Sequence, residues 1–299
     1  MAAKLNNVPA CSRHMKPLLR VDYEMSVNSG QMFLWEKIGD SWYGIYGRHV
    51  IRLCKAAGSV EFASFPDDSN MERRMFRLDD DMESILASLS SDELVGGLVQ
   101  SYSGLRLLRQ DPEQCLFSFV CASNTNIPMI RRMLNTLAAK YGGKVKVDGR
   151  EFHTFPSAMA LHRTTEADLR ACGLGYRAKA IKAVARAIAT GELDLASLTT
   201  ASYEEAGAEL LKLHGVGPKI ADCVLLFSLE KLDAFPIDVW IARALAANYG
   251  WMSGRFGEKL TRWQYEELSG AARKYFGPYA GYAQQYLYYH MRQGAGKRW

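Results

Sequence analysis

The chain of 299 residues is 48% hydrophobic and 23% charged, enough for one large or two modest cores, which excludes a disordered protein. Its net charge of +5 and pI near 8.8 suit a polyanionic partner without requiring one. No apolar run is long enough to span a membrane, and the basic N-terminus (Lys4, Arg13, Lys16, Arg20) lacks a secretory apolar core, so an intracellular globular protein is expected.

From the start, Val21 to about Phe65 reads as strands: Tyr23 to Val27 alternates, Asn28-Ser29-Gly30 turns, Met32 to Trp35 resumes, and Trp42 to Tyr46 and Val50 to Cys54 follow at short intervals. Asp80 to Leu89 and Asp92 to Gln100 read as capped helices covering an antiparallel sheet, so residues 1–103 form an α+β N-terminal domain. Beyond Gly104 the periodicity is helical: Asp111 to Ser123, Ile127 to Tyr141, Thr165 to Cys172, Arg177 to Thr190, then Thr261 to Tyr275 and Pro278 to Met291. Residues 104–299 are thus expected to be an all-α domain, with Ser253 to Gly257 its flexible loop. The six cysteines (Cys11, Cys54, Cys115, Cys121, Cys172, Cys223) have no CxxC spacing, which speaks against zinc sites and disulfides.

Within the helical part, Ser202 to Leu245 reads as helix, hairpin, helix, loop, helix. The first helix stops at His214-Gly215-Val216-Gly217, and Pro218 suits the first turn of the next. Glycine amides at a helix start, backed by the positive dipole end, let a phosphate approach closely. Lys219 falls in that first turn, where the dipole and packing against Ile220, Cys223 and Val224 disfavour an ammonium ion. An uncharged amine there is a nucleophile able to form a Schiff base. Asp238, after Phe235-Pro236, stands at the N-cap of Val239 to Asn248. Taken singly, each has a plainer reading: a turn between helices, a solvated lysine, a simple cap.

Together, the hairpin, Lys219 and Asp238 resemble the helix-hairpin-helix superfamily of base-excision DNA glycosylases, in which the lysine marks members that cleave both the glycosidic bond and the strand. The runs Gly104 to Pro112, Cys115 to Phe119, Ser123 to Ile127, Gly173 to Ala178 and Gly277 to Gly281 are similar in order to the 8-oxoguanine DNA glycosylase/AP lyase family, from about Tyr23 to Leu287. The resemblance implies an N-terminal antiparallel sheet domain followed by a helix-hairpin-helix glycosylase domain. It also implies double-stranded DNA containing 8-oxoguanine as partner, a monomer, and no cofactor beyond a monovalent cation at the hairpin. No cysteine follows Cys223, which removes the iron–sulfur cluster of some relatives.

The same resemblance implies the site residues. Lys219 attacks the sugar and Asp238 steadies its positive charge. The Gly30 carbonyl reads the N7 hydrogen of 8-oxoguanine, where ordinary guanine offers only an acceptor. Gln284 bonds the Watson–Crick edge, and Cys223 and Tyr288 sandwich the ring. His214, Gly215 and Gly217 hold the DNA backbone. Asn124 fills the gap left by the flipped base, Tyr176 wedges, and Arg177 faces the widowed base. Without the resemblance, Gly30 is a turn glycine, Asn124 a turn residue, Tyr176 a helix-entry aromatic and Arg177 a solvated charge. Gln284, Tyr286 and Tyr288 would then be one side of a core helix. An oxidised-pyrimidine glycosylase/lyase without an iron–sulfur cluster, a monofunctional alkyl-base glycosylase and a non-catalytic helix-hairpin-helix DNA-binding protein stay open as alternatives.

Two positions depart from the family pattern. Trp240 stands where many members have histidine. Met129 replaces an arginine that helps recognise the opposite cytosine, and a thioether offers a base edge no charged donor. Discrimination of the base opposite 8-oxoguanine is therefore expected to be relaxed. A strong preference for cytosine across duplexes with each of the four opposite bases would refute this.

Overall fold

The computed structural model describes residues 20–56, 59–250 and 260–294. Strands β1 (Trp35–Ile38), β2 (Ser41–Tyr46), β3 (His49–Ala56) and β4 (Ser59–Phe65) pair antiparallel in sequence order. Trp35 lies opposite Gly44, where a β-carbon would come within 2.4 Å of the indole, so the glycine lets that ring lie flat across β2. One sheet face, with Trp35, Ile51 and Leu53, packs on Met71 and Met75 of the short helix α2 (Met71–Met75). The other, with Tyr43, Ile45 and Val50, joins the core shared with the helical part.

Tyr23–Val27 is not a strand but helix α1, because the Asp22 side chain accepts from the Met25 N–H at 2.8 Å. Tyr23 and Val27, four residues apart, both reach the smaller core, so an alternating pattern also satisfied a helical one. Met32 to Leu34 is irregular rather than strand; it follows Gln31, whose side chain donates to the Arg106 carbonyl and accepts from the Leu108 N–H, each at 2.8 Å. Helices α3 (Met82–Leu89) and α4 (Glu93–Ser101) are capped by Asp81 and Asp92. They pack mainly on the last helix, and α2, which the sequence pattern did not reveal, covers the sheet face.

The helical part runs α5 (Pro112–Cys121), α6 (Ile127–Tyr141), α7 (Ala158–Arg163), α8 (Glu166–Leu169), α9 (Arg177–Ala189), α10 (Leu195–Thr200), α11 (Tyr203–Leu211), α12 (Pro218–Ser228), α13 (Val239–Asn248), α14 (Arg262–Phe276) and α15 (Ala280–Gly294). The helix expected to reach Cys172 ends as α8 and passes into a π turn, Arg170–Leu174, closed by Gly173 at φ 83°. The hairpin β5 (Lys144–Val147) and β6 (Arg150–His153) was not anticipated. Asp148 and Gly149, with φ of 49° and 74°, form its two-residue turn. It docks on the sheet through Tyr43, stacked on Phe152 at 4.9 Å and donating to Asp148 at 2.7 Å. The segment expected as a loop, Ser253 to Gly257, lies outside the described residues.

Helix α12 is the centre of the helical part; every residue from Ile220 to Ser228 is buried. Helix α15 approaches its C-terminal end closely through Gly281, whose N–H donates to the Leu232 carbonyl at 2.8 Å. A β-carbon on Gly281 would lie 2.1 Å from Leu226 Cδ1 and 2.9 Å from the Leu232 oxygen. Gly281→Ala should therefore force α15 outward and cost about 1–3 kcal/mol of stability, read as a lower urea midpoint with an unchanged slope.

Candidate active site

The hairpin is built as its glycines dictate. Helix α11 opens with a capping box, Ser202 with Glu205, and ends before His214 and Gly215, both exposed. Gly215 has φ 86°, and a β-carbon there would meet that of Ala180 at 2.4 Å, so the turn packs directly on α9. Gly217 is the N-cap of α12, with no side-chain cap and nothing within 4 Å of a β-carbon placed on it. Pro218 has no N–H and the Ile220 N–H donates to the Gly217 carbonyl at 3.0 Å, so an anion at this helix start would be met by the Gly217 and Lys219 amides.

Beside the hairpin is a cavity of about 1320 Å³. It brings together Lys219, Asp238, Gly30, Cys223, Gln284 and Tyr288, with Asn124 and Gly217 also in its wall. The spacing explains the convergence: Lys219 and Cys223 are one helical turn apart on α12, as are Gln284 and Tyr288 on α15. Tyr286 points the other way, its hydroxyl donating to the Leu105 carbonyl at 3.3 Å, so Gln284, Tyr286 and Tyr288 do not share one side.

Asp238 caps α13, with Oδ1 accepting from the Trp240 and Ile241 N–H groups, each at 2.9 Å. Burial pushes its carboxyl up; the Lys219 charge, the two cap bonds and the Arg292 charge pull it down. The Lys219 Nζ sits 5.3 Å from the centre of the Phe119 ring. Burial pushes the Cys223 thiol up to about 12 and the Tyr288 hydroxyl well above its ordinary value, so both present neutral faces. Gln284 Nε2 donates to the Pro236 carbonyl at 3.0 Å. That bond fixes the amide, leaving Oε1 buried with no partner among the described residues.

Gly30, at φ 84°, closes a turn after α1, not between two strands. The next residue anchors it: the Gln31 carbonyl accepts from Gln110 Nε2 at 2.7 Å, and the Gln110 N–H donates to the Phe227 carbonyl at 2.7 Å. The Gly30 turn is thereby tied to the helix carrying Lys219.

Tyr176, Arg177, His214, Gly215 and Met129 lie outside the cavity wall. Asn124 adopts φ 48°, a left-handed conformation that asparagine tolerates, in the turn after α5. Arg177 braces this turn, donating through Nε to the Ser123 carbonyl at 3.0 Å and through Nη2 to the Asn124 carbonyl at 3.2 Å. Its guanidinium stacks on the exposed Tyr176 ring at 4.5 Å. Met129 is an exposed side chain in the first turn of α6.

Several wall residues were not expected from the sequence. Arg292 follows Gln284 and Tyr288 at the same four-residue step, a signal that extending the pattern by one turn would have found. Its guanidinium lies 5.4 Å from the Trp240 ring, and that of Arg243 lies 5.3 Å from it. Arg131 donates through Nε to the Phe33 carbonyl at 3.1 Å. Behind the wall, buried Asp222 accepts from Tyr203, from Tyr265 at 2.6 Å and from Ser269 at 3.1 Å. Among the described residues no helix is long and apolar enough to cross a membrane, and no group of three or more His, Cys, Asp or Glu is placed to hold a metal ion.

Residues 15–116 match the model of the 8-oxoguanine DNA glycosylase N-terminal domain, and residues 117–269 that of HhH-GPD superfamily base excision DNA repair proteins. The N-glycosylase/DNA lyase of Arabidopsis thaliana is 36% identical over 273 residues, covering 87% of this chain and 74% of the relative. That of Saccharomyces cerevisiae is 34% identical, covering 81% and 73%. The structure superposes on the Clostridium acetobutylicum 8-oxoguanine glycosylase/lyase, solved with double-stranded DNA containing cytosine opposite 8-oxoguanine. The TM-score is 0.82 at 32% identity, with 92% of this chain and 93% of that one covered. An N-terminal antiparallel sheet, a hairpin opening onto a central helix and a cavity shared by lysine and aspartate thus stand in a chain that belongs to the 8-oxoguanine DNA glycosylase family of the HhH-GPD superfamily.

Proposed function

We propose that the protein is a bifunctional DNA repair enzyme that excises 8-oxoguanine from duplex DNA and then nicks the strand as an AP lyase. The observation that carries this reading is the cavity in which Lys219 and Asp238 face the fixed Oε1 of Gln284, unpartnered among the described residues. A guanine edge presents N–H donors at N1 and N2, which suit that acceptor. The Gly30 turn, on the same cavity, supplies the carbonyl for the extra N7 hydrogen, and Cys223 and Tyr288 cover the two ring faces.

In this mechanism a nucleotide is flipped out of the duplex, with Asn124 taking its place and Tyr176 wedging the neighbouring stack. The hairpin amides around Gly215 and Gly217 hold the backbone phosphate, and its carbonyls are where a monovalent cation would sit. No step runs through that cation. The uncharged Lys219 amine attacks C1′. The C1′–N9 bond breaks, its electron pair leaves with the base, and the base takes up a proton. Asp238 stabilises the positive charge that the sugar develops at that moment. The amine then loses its proton, the C1′–O4′ bond opens with O4′ protonated, and an imine forms. Loss of a C2′ proton drives out the 3′ phosphate and cuts the strand. The enzyme acts as a monomer on DNA, in the cytoplasm or nucleoid of a bacterium or the nucleus of a eukaryote.

Borohydride reduction during reaction with an 8-oxoguanine duplex should trap a covalent protein–DNA complex in the wild type. Lys219→Gln should abolish trapping while still binding the duplex. Asp238→Asn should slow single-turnover excision by roughly 10²–10³-fold. A trapped complex with Lys219→Gln would sink the assignment of the nucleophile.

A further inference from the structure

We infer that Arg292 is the standing counter-charge of Asp238, seated against Trp240, and that it supports the aspartate as an anion during the step in which Lys219 is uncharged. The inference rests on the glycosylase/lyase reading, and it resolves a conflict within that reading. Asp238 lies half-buried in the cavity wall, where a carboxylate is less well solvated than in water. Lys219 is one cation that offsets the cost, yet a nucleophilic amine must first give up its proton. As it does so, the partner that favoured the aspartate anion disappears, and the aspartate becomes the natural place for a proton to go.

The geometry supplies a second cation that cannot make that exchange. Arg292 follows Gln284 and Tyr288 at four-residue steps on α15 and lines the same cavity as Asp238. Its guanidinium stays protonated throughout the accessible pH range. Trp240 connects the two: its backbone N–H donates to Asp238 Oδ1 at 2.9 Å, and its ring lies 5.4 Å from the Arg292 guanidinium. Arg243 lies 5.3 Å from the same ring, so the indole is engaged by two guanidinium groups, each adding to its placement.

The titratable and charged groups that share the cavity wall with Asp238 are Lys219 and Cys223 on α12, Tyr288 and Arg292 on α15, Tyr265 and Arg262 on α14, Arg131 on α6 and Arg243 on its own helix. Tyr265 accepts from the Ile237 N–H at 3.2 Å. Burial keeps Cys223, Tyr288 and Tyr265 neutral. Lys219 and, less strongly, Arg292 are the two cations whose charge opposes burial at Asp238; burial prevails and holds the carboxyl above its ordinary value. With Lys219 discharged, Arg292 is the one of that pair still positive. Trp240, at a position where many family members carry histidine, thereby orients a charge for the aspartate two residues before it.

The sign of the effect follows directly. Excision needs Asp238 ionised and Lys219 uncharged, so the acid limb of the rate profile belongs to the pair, and Asp238→Asn with and without Arg292→Gln, whose limb reports Lys219 alone, assigns the shift. Removing a nearby positive charge lets the carboxyl hold its proton to higher pH. Single-turnover excision of 8-oxoguanine by Arg292→Gln should therefore show its acid limb moved upward by about one pH unit. Arg292→Lys should return it toward the wild-type position. Should Arg292→Gln not fold, Arg292→Met keeps the aliphatic stem against Trp240 and carries the same expectation.

Duplex binding, measured in a Lys219→Gln background with and without Arg292→Gln, should change by less than about threefold, under 1 kcal/mol. Two outcomes overturn the inference. If the acid limb does not move, Arg292 does not serve Asp238. If binding falls tenfold or more and its salt dependence weakens while the limb stays put, Arg292 is a phosphate ligand instead. Borohydride trapping by the wild type is the separate control: its failure would remove the glycosylase/lyase reading, whereas trapping with an unmoved limb removes only the role of Arg292.

Discussion

Three residues beyond Lys219 on α12, Asp222 is buried without entering the cavity, and the placement of the reactive groups depends on how it is held. Burial pushes its carboxyl up, while the hydroxyls of Tyr203, Tyr265 and Ser269 pull it down. Those hydroxyls belong to α11 and α14, so one carboxyl ties three helices together. Two of them also touch the segment leading to Asp238: Tyr265 accepts from the Ile237 N–H at 3.2 Å, and Ser269 Oγ lies 3.1 Å from the Phe235 carbonyl oxygen. The position of Asp238 relative to Lys219 is thus set from behind by a network whose members leave a buried polar group stranded if any one is lost, at about 1–3 kcal/mol.

A second constraint acts from the far end of the same helix. Gly281 lets α15 come close to the segment after α12, and only at that separation do the faces of the two helices enclose one cavity. The N-terminal part closes the remaining side. Gln31 and Gln110 bind the Gly30 turn to the end of α12, and Arg131 binds Phe33 to α6. Among the described residues the sheet itself contributes nothing to the wall; it serves as the base from which that turn is hung.

What was legible in the sequence is what local chemistry decides. The bounds of α6 and α13 follow from Asn126 and Asp238 as caps, and the hairpin from Gly215 and Gly217. Lys219 and Asp238 came from the hairpin and cap pattern, Gly30, Cys223, Gln284 and Tyr288 from the family resemblance, and the fold brings all six into one cavity. The failures share a cause: patterns that fit two periods, or bonds made over long sequence distances. Tyr23 to Val27 alternates like a strand, but the Asp22 cap and the four-residue pair Tyr23 and Val27 decide for helix. The Asp148-Gly149 pair is a hairpin signal, but the strands it joins are only four residues each, too short to show an alternating pattern. Asp222 could not be found in this way, since its partners lie 19 to 47 residues away.

Three side chains of the cavity each commit one polar atom to the scaffold. Asp238 commits Oδ1 to two cap bonds, Gln284 commits Nε2 to the Pro236 carbonyl, and Arg131 commits Nε to the Phe33 carbonyl. Each group is therefore oriented before any ligand arrives, so less conformational entropy is lost on binding. The cost appears in the free protein, where the buried Oε1 of Gln284 lacks a partner among the described residues, a deficit of about 1–3 kcal/mol. A base that brings N–H donors relieves that deficit; one that presents only acceptors leaves it and adds its own. In the proposed reading, discrimination at this edge comes from the acceptor that the bond to Pro236 holds in place.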